Sequence, residues 1–506
     1  KKSATMPKNN KKKGKAKAKA QRTVPQAVEP SGSKRGASDE VRTNLSEQRE
    51  ETGPSLQHED DFGDEFETED FIYNDDEEED NDGLRMDEDE EDEVAVKVFR
   101  PGIDTLEEGE ELTFDPSAYV MHHALRPEWP SLSFDFVRDD FGGNRSRFPL
   151  TMFAVAGSQA ANAEANKLTM MRFTDLHRIR NQDSDDMADS EAVLNLEDDE
   201  EDKDPTLDSI DVPHPCGINR VRSCPQKPGL VATFGEDSNV RIYDLSTHLA
   251  SLSGHAPRPA WCGPSFTFEG HAEEGFALDW SKHATGQLAT GDCAGKIHIW
   301  TPNEGGDLSW NVEENGRAEH LGSVEDIQWS PSEASVFISC SVDRSIKVWD
   351  VREPRKSMVS VAETHACDIN VLSWNPSVAY LLASGADDGS FKIWDLRSFG
   401  GATPEPVANF RWHSQPITSI EWHPTDESVV TVSSDDDSIS FWDMSVEEDS
   451  EADPRKEEDL NVPPQLLFVH QGQKSIKELH FHPQIPGVVM STALDGYNIF
   501  KPNTNI

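Results

Sequence analysis

Hydrophobic and polar positions divide the chain sharply. Nothing amphipathic organises residues 1–93. From residue 131 onward, short apolar or alternating runs recur, each closed by turn residues, and runs of that kind predict β-strands. Six segments follow one template: a His, an apolar strand, a small-residue strand, an Asp-containing turn, and a strand ending in an aromatic. The His-to-aromatic distance is 29 residues from His214 to Tyr243, His271 to Trp300, His320 to Trp349, His365 to Trp394 and His413 to Trp442, and 30 from His470 to Phe500. In the fourth unit residues 369–374, 381–384 and 391–394 are strands, and Asp387-Asp388-Gly389 is the tight turn that favours Asp and Gly. Such a unit buries its faces only against its neighbours, so the units must stack. Short strands at even spacing that close radially describe a β-propeller. Residues 131–137, 148–157 and 167–173 supply a further blade, giving an all-β, seven-bladed ring. Ring closure needs a strand from the other end of the chain, and the run 94–99 is expected beside 497–500.

Composition adds what the pattern cannot. The 506 residues carry a formal net charge of −49, with 35% hydrophobic and 28% charged residues. That is too polar for one packed globule. The charge lies in blocks. Residues 1–35 hold twelve Lys or Arg against one acid, Glu29; residues 39–93 hold 27 acids against three Arg; 183–208 hold 13 acids and one Lys; 447–459 hold eight acids against Arg455 and Lys456. The expected organisation is a basic disordered tail (1–38), an acidic disordered segment (39–93), and a propeller over 94–506 with acidic insertions at 183–208 and 447–459. The charge argues against a general DNA-binding surface and against adhesion to anionic membranes. It points to a basic protein partner, with no direct sequence-specific contact to nucleic acid. No run approaches 18 apolar residues and no signal-peptide pattern opens the chain, so no membrane association is expected. The basic opening reads as a nuclear or nucleolar address. The six cysteines have no CxxC spacing and read as reduced intracellular thiols.

No P-loop, GxSxG, HExxH or dinucleotide fingerprint appears, so the chain is expected to be no enzyme and to need no cofactor. His480 and His482 share the spacing of two metal ligands on one strand face. Aligning the repeats puts His482 in register with His423, Asn375 and Ser330, each followed by Pro, at a strand end, so a metal role is not expected. His122 and His123 read as packing residues.

The segments "SIKVWDVR", "SFKIWDLR" and "SISFWDM" resemble WD repeats. The resemblance implies buried tetrads of His, hydroxyl, Asp and Trp: His320, Ser339, Asp343 and Trp349; and His365, Ser384, Asp388 and Trp394. A Tyr-ended version is His214, Thr233, Asp237 and Tyr243. Three units depart from the pattern. Ala294 stands where a turn Asp belongs, Val432 where a hydroxyl belongs, and Asp495 comes one place late, so their turns are expected to be less rigid. The resemblance also implies that Glu236, Asp387 and Asp435, just before the turn Asp, and Glu274 and Asp368, three after the His, lie on the narrow face. There they would attract a basic ligand.

Residues 119–136, "YVMHHALRPEWPSLSFDF", resemble the lead-in of the retinoblastoma-associated histone-binding proteins. The acids Glu447, Glu448, Asp449, Glu451, Asp453, Glu457, Glu458 and Asp459, with Pro463-Pro464, resemble that family's acidic loop, which helps grip a histone helix. The layout as a whole, with "RPG" before "EEGEEL" and "YVMHHAL" before "LSFDFVRD", is similar to the glutamate-rich WD-repeat ribosome-assembly proteins. That resemblance implies a chaperone, in nucleus and nucleolus and shuttling with the cytoplasm, for newly made large-subunit ribosomal protein number three, delivered to the pre-ribosomal particle. Two alternatives stand beside it. One is a histone chaperone or a component of a chromatin complex. The other is a substrate receptor of a cullin ubiquitin ligase, from Trp349-Asp350-Val351-Arg352 and Trp394-Asp395-Leu396-Arg397.

Overall fold

The structure is a computed structural model, and it describes residues 4–5, 115–179, 204–259, 262–305, 308–401, 404–447 and 462–504. Seven antiparallel sheets follow one another around a ring. Blade 1 comprises Ser133–Phe136, Leu150–Gly157, Lys167–Leu176 and Thr206–Pro213, and the two-residue strand Ala4–Thr5 pairs on its outer edge. Blades 2 to 6 begin at Ile218, Ala277, Val324, Ile369 and Ile417. Each runs from an innermost to an outermost strand with neighbours antiparallel. Blade 7 is built from both ends of the described chain: Ile476–Phe481, Val489–Ala493 and Gly496–Pro502, with Tyr119–Leu125 as its outermost strand.

That last pairing corrects the expected closure. The edge beside Gly496–Pro502 is taken by Tyr119–Leu125, with Leu125 opposite Tyr497 and His122 opposite Phe500. The run 94–99 lies outside the described residues. Tyr119–Leu125 wins the edge because it has a face to bury: Met121 is fully buried with Tyr497 and Ile499, and Tyr119 packs with Phe500 and Phe441.

Two sets of tryptophans join the blades. Trp300, Trp349, Trp394 and Trp442 end the third strands, and all are buried. Trp280, Trp329, Trp374 and Trp422 end the innermost strands. Three of this second set donate their indole N–H to the preceding blade: Trp280 to Arg222 O (3.0 Å), Trp329 to Asp279 O (3.1 Å) and Trp422 to Ser373 O (3.1 Å).

The tetrads are closed hydrogen-bond networks. His320 meets Asp343 Oδ2 at 3.0 Å and Ser339 Oγ at 2.7 Å, and Trp349 donates to the same hydroxyl at 2.8 Å. His365 and Trp394 share Ser384 Oγ at 2.7 and 2.8 Å, with Ser390 standing between His365 and Asp388. Burial holds His320 below its ordinary value, and His365 down to about 3, so both rings stay neutral.

The three departing units are repaired rather than loosened. Asp292, two residues before Ala294, reaches His271 at 3.0 Å, and Thr290 serves both His271 and Trp300. Ser440 lies directly across from Val432 on the next strand, so its hydroxyl occupies the same rung. It serves His413 and Trp442, each at 2.7 Å. His470 is held by the Tyr119 hydroxyl (2.8 Å) and by Asn498 (3.1 Å), while Asp495 instead accepts from Lys474 N. The Tyr-ended unit is the incomplete one: His214 bonds Thr233, but Asp237 pairs with Arg241, and the buried Tyr243 hydroxyl has no partner among the described residues.

Ser440→Ala leaves the buried Trp442 indole N–H without its acceptor and His413 Nε2 without its partner. The expected cost is about 2–3 kcal/mol, read as a lower urea midpoint, whereas Val432→Thr, which restores the usual position, should leave the midpoint within about 1 kcal/mol.

Candidate functional site

Each blade's innermost strand is a sheet edge, so its backbone N–H groups face the central channel with no strand beside them. The neighbouring blade supplies acceptors. Val221 N donates to Ser133 Oγ (2.9 Å) and Ser223 N to Asp135 Oδ2 (2.7 Å), between blades 1 and 2. Trp329 N donates to Asp279 Oδ2 (2.7 Å), between blades 3 and 4. Leu372 N reaches Asp326 Oδ2 (2.9 Å) and Trp374 N reaches Gln328 Oε1 (2.8 Å), between blades 4 and 5. Trp422 N reaches Ser373 Oγ (3.0 Å), Phe481 N reaches Glu421 Oε1 (3.4 Å), and Phe134 N reaches Glu478 Oε2 (2.8 Å), completing the circuit through blades 5, 6, 7 and 1. Between blades 2 and 3 the direction reverses, with Arg220 Nε donating to Phe276 O at 2.5 Å.

This belt contains an ionic cluster. Glu478 Oε1 lies 2.6 Å from Arg220, 2.8 Å from Arg222 and 3.6 Å from His480 Nε2, and His480 Nδ1 lies 2.6 Å from Glu421. Burial opposes the ionisation of Glu478, but Arg222, Arg220 and His480 outweigh it and hold the carboxyl well below the usual range. Burial likewise opposes the charge on His480, and Glu421 and Glu478 raise it to about 10. Burial pushes Asp135 and Asp326 up, and Asp279 up to about 6. These acids serve backbone N–H groups and arginines, and His480 is committed to two carboxylates, so the belt is architecture. Among the described residues no cluster of His, Cys, Asp and Glu is arranged to hold a metal.

The partner-binding residues expected from sequence separate onto opposite ends of the ring. Strand order places the second-to-third-strand turns and the inter-blade loops at one end, the tetrad face. Here Glu236 and Asp387 are exposed, as is Asp368. Asp387 N donates to Asp368 O, Cys293 N to Glu274 O, Glu236 N to Gly217 O and Asp435 N to Pro416 O, so one contact repeats from blade to blade. The acids form an arc rather than a ring. Asp435 is paired with Lys477 (3.0 Å), Glu274 accepts from Asn219 (2.9 Å), and blade 7 presents Lys474 and Leu494 at the equivalent positions. Leu321, 94% exposed, and Leu494, 65% exposed, also lie here and carried no sequence signal beyond their place next to the turn residues.

Glu447, Pro463 and Pro464 sit at the other end, in the connection between the third and fourth strands of blade 6. Glu447 is exposed; Glu448, Asp449, Glu451, Asp453, Glu457, Glu458 and Asp459 lie outside the described residues. The acidic block 183–208 falls mostly in the equivalent connection of blade 1, where 180–203 lie outside the described residues; its last three residues, Thr206 to Asp208, instead begin the fourth strand of that blade. The N-terminal segment enters the ring at Asp115, next to Tyr119, at this same end of blade 7. Ile179 N bonds Val120 O (2.8 Å), which holds the blade 1 attachment point against blade 7, and Asn503 N bonds Ala118 O (2.9 Å) within blade 7. Arg352 and Arg397 emerge at this end too, each gripped by the Asp two residues before it.

A seven-bladed WD-repeat propeller presents two end faces and its inter-strand connections as surface, and function lives in sites grafted on such a fold. A family profile for the histone-binding protein RBBP4, and for the corresponding component of the CAF1 complex, matches residues 109–177. One described as "Eukaryotic translation initiation factor eIF2A" matches 309–447. Over 418 residues the chain is 46% identical to "Glutamate-rich WD repeat-containing protein 1" of Dictyostelium discoideum, covering 81% of this chain and 85% of that protein. It is 39% identical over 458 residues to "Ribosome assembly protein rrb1" of Schizosaccharomyces pombe, covering 88% and 92%. It is 29% identical over 260 residues to "Histone acetyltransferase type B subunit 2" of the same yeast, covering 49% and 55%. The chain belongs to the family of glutamate-rich WD-repeat and rrb1-type ribosome-assembly proteins.

Glu478→Gln leaves Arg220, Arg222 and His480 facing one another without their carboxylate, at an expected cost of about 3–5 kcal/mol at pH 7. The raised His480 contributes stability that is complete below its ordinary 6.5 and is lost as pH rises through about 10. The urea midpoint should therefore fall between pH 8 and 10, above the range where Asp279 titrates, and His480→Gln should flatten that slope.

Proposed function

We propose that this protein is a non-enzymatic chaperone of ribosome biogenesis. It receives a newly made basic large-subunit ribosomal protein, number three of the universal set, shields the client's RNA-binding surface with acidic segments, and releases it on the pre-ribosome. The observation that carries the reading is the meeting of attachment points on blades 6, 7 and 1. Two acid-rich insertions, within 180–205 and 447–461, leave the ring at one end, and the described chain following the acidic segment 39–93 joins the ring at that end at Asp115. Their combined charge suits a basic, RNA-binding client, and electrostatic capture of that kind is fast and salt-sensitive. The relative named for ribosome assembly, matched along 92% of its length, supports the biological setting. The basic residues 1–35 suit work in nucleus and nucleolus with passage through the cytoplasm.

Histones are the second reading, favoured by the family match over 109–177 and by the partly exposed Pro463-Pro464 that follows the blade 6 insertion.

Full-length protein, titrated with ribosomal protein three and with a histone H3–H4 preparation, separates the readings. The ribosomal protein should bind at least tenfold more tightly at 150 mM salt, with affinity falling steeply between 50 and 300 mM. Replacing the acids of 447–459 and 183–204 by Ser and Asn should weaken capture at least tenfold without moving the melting temperature. Loss of capture on neutralising Glu236, Asp368 and Asp387 alone, with the insertions dispensable, would move the site to the tetrad face.

A further inference from the structure

The connection between the first two strands differs in blade 1. It spans thirteen residues, 137–149, where the other six blades use six or seven. Its sequence from Arg138 is RDDFGGNRSRFP. The base is tightly held: Asp139 pairs with Arg145 at 2.8 Å, Gln484 of blade 7 bonds Asp139 N, Asp139 O and Gly142 O, and Arg145 N donates to Gln484 O. Arg145 Nη1 also donates to Thr151 O at 3.0 Å. The tip stands free, since a Cβ on Gly142 or Gly143 would meet nothing within 4 Å.

This braced loop holds out Phe141, which is 53% exposed. The Arg145 guanidinium lies 5.6 Å from the centroid of its ring. Phe141, Arg145 and Arg147 line one surface depression with Ser146, Pro149, Leu150 and Thr151. Arg138 and Arg147 are exposed, and among the described residues neither has a carboxylate within ion-pair distance. Lys501 bonds Pro486 O two residues from Gln484, and burial together with nearby Arg178 holds its ammonium below the ordinary value. In a chain of net charge −49, unpaired arginines around a rigidly presented aromatic need a reason. Cations alone suit any anion. A cation-flanked, exposed ring suits an anion that also has a flat face, and single-stranded nucleic acids are bound by base stacking beside phosphate contacts.

We propose that the 138–147 loop is a docking platform for single-stranded RNA, with a base stacked on Phe141 and adjacent phosphates on Arg138 and Arg147. The platform lies at the same end of the ring as the acidic insertions. It rests on the ribosome-biogenesis reading only for the source of the RNA, which would be an unpaired segment of the pre-ribosome at the point of client release.

The test uses the full chain and a fluorescein-labelled oligouridine of twelve nucleotides. Anisotropy should show binding that Phe141→Ala weakens by about five- to a hundredfold. Arg138→Gln with Arg147→Gln should weaken it and lower the slope of log affinity against log salt by about 1.4, two phosphates at roughly 0.7 each. A 4-thiouridine oligomer should cross-link within residues 138–147. Unchanged binding in Phe141→Ala, cross-links confined to the basic residues 1–35, or displacement by polyglutamate as readily as by RNA would each overturn the proposal. Client capture measured on the same Phe141→Ala protein should be unaltered. If wild-type protein binds RNA through this loop but fails to capture the ribosomal protein, the chaperone reading falls and the platform stands.

Discussion

The ring depends on how the edge facing its channel is satisfied. A propeller leaves one unpaired strand edge per blade pointing inward, and a buried unsatisfied N–H costs about as much as a lost hydrogen bond. Here side chains of one blade cap backbone groups of the next: Ser133 and Asp135, Asp279, Asp326 and Gln328, Ser373, Glu421, Glu478. Carboxylates at such positions need counter-charge, which explains why Arg220, Arg222 and His480 stand among them. Tryptophans and tetrads then stiffen blades whose mutual spacing the belt already sets.

That internal closure has an outward consequence. Because the blades cap one another's channel-facing N–H groups, closure of the ring does not draw on its charged insertions. The insertions of blades 1 and 6 leave from third strands paired on both sides and return into the fourth strands of the same blades. The two ends of the cylinder thereby acquire different characters. One has an arc of acids in which Asp435 is paired with Lys477 and Glu274 accepts from Asn219; the other carries the attachment points of the acidic insertions and the exposed Arg138 and Arg147.

The 29-residue His-to-aromatic period made the blades legible in the sequence, as did two regular tetrads. What escaped was registry between strands. Val432 read as a missing hydroxyl because its replacement, Ser440, lies eight residues away yet on the same rung. The closing strand was hidden because Tyr119–Leu125 is interrupted by two adjacent histidines, while 94–99 reads as an apolar run broken only by Lys97. The acids of the candidate site were individually visible. Their division between two ends of the ring follows from which connections bear them, and becomes plain only when strand order is known. The channel belt left no one-dimensional trace, since each of its bonds joins residues 46 to 344 positions apart.

Blade 7 also imposes an order in time. Tyr119–Leu125 is synthesised some 370 residues before the strand it pairs with, Gly496–Pro502. At about 5–20 residues per second, its edge waits roughly 20–75 s for a partner. By the end of that interval, once Gln471 is made, six blades can stand assembled while Met121 and Tyr119 remain uncovered and Glu478, the carboxylate that neutralises Arg220 and Arg222, is still to come. The growing chain is thus an open arc with an adhesive edge at one end and unpaired arginines inside it.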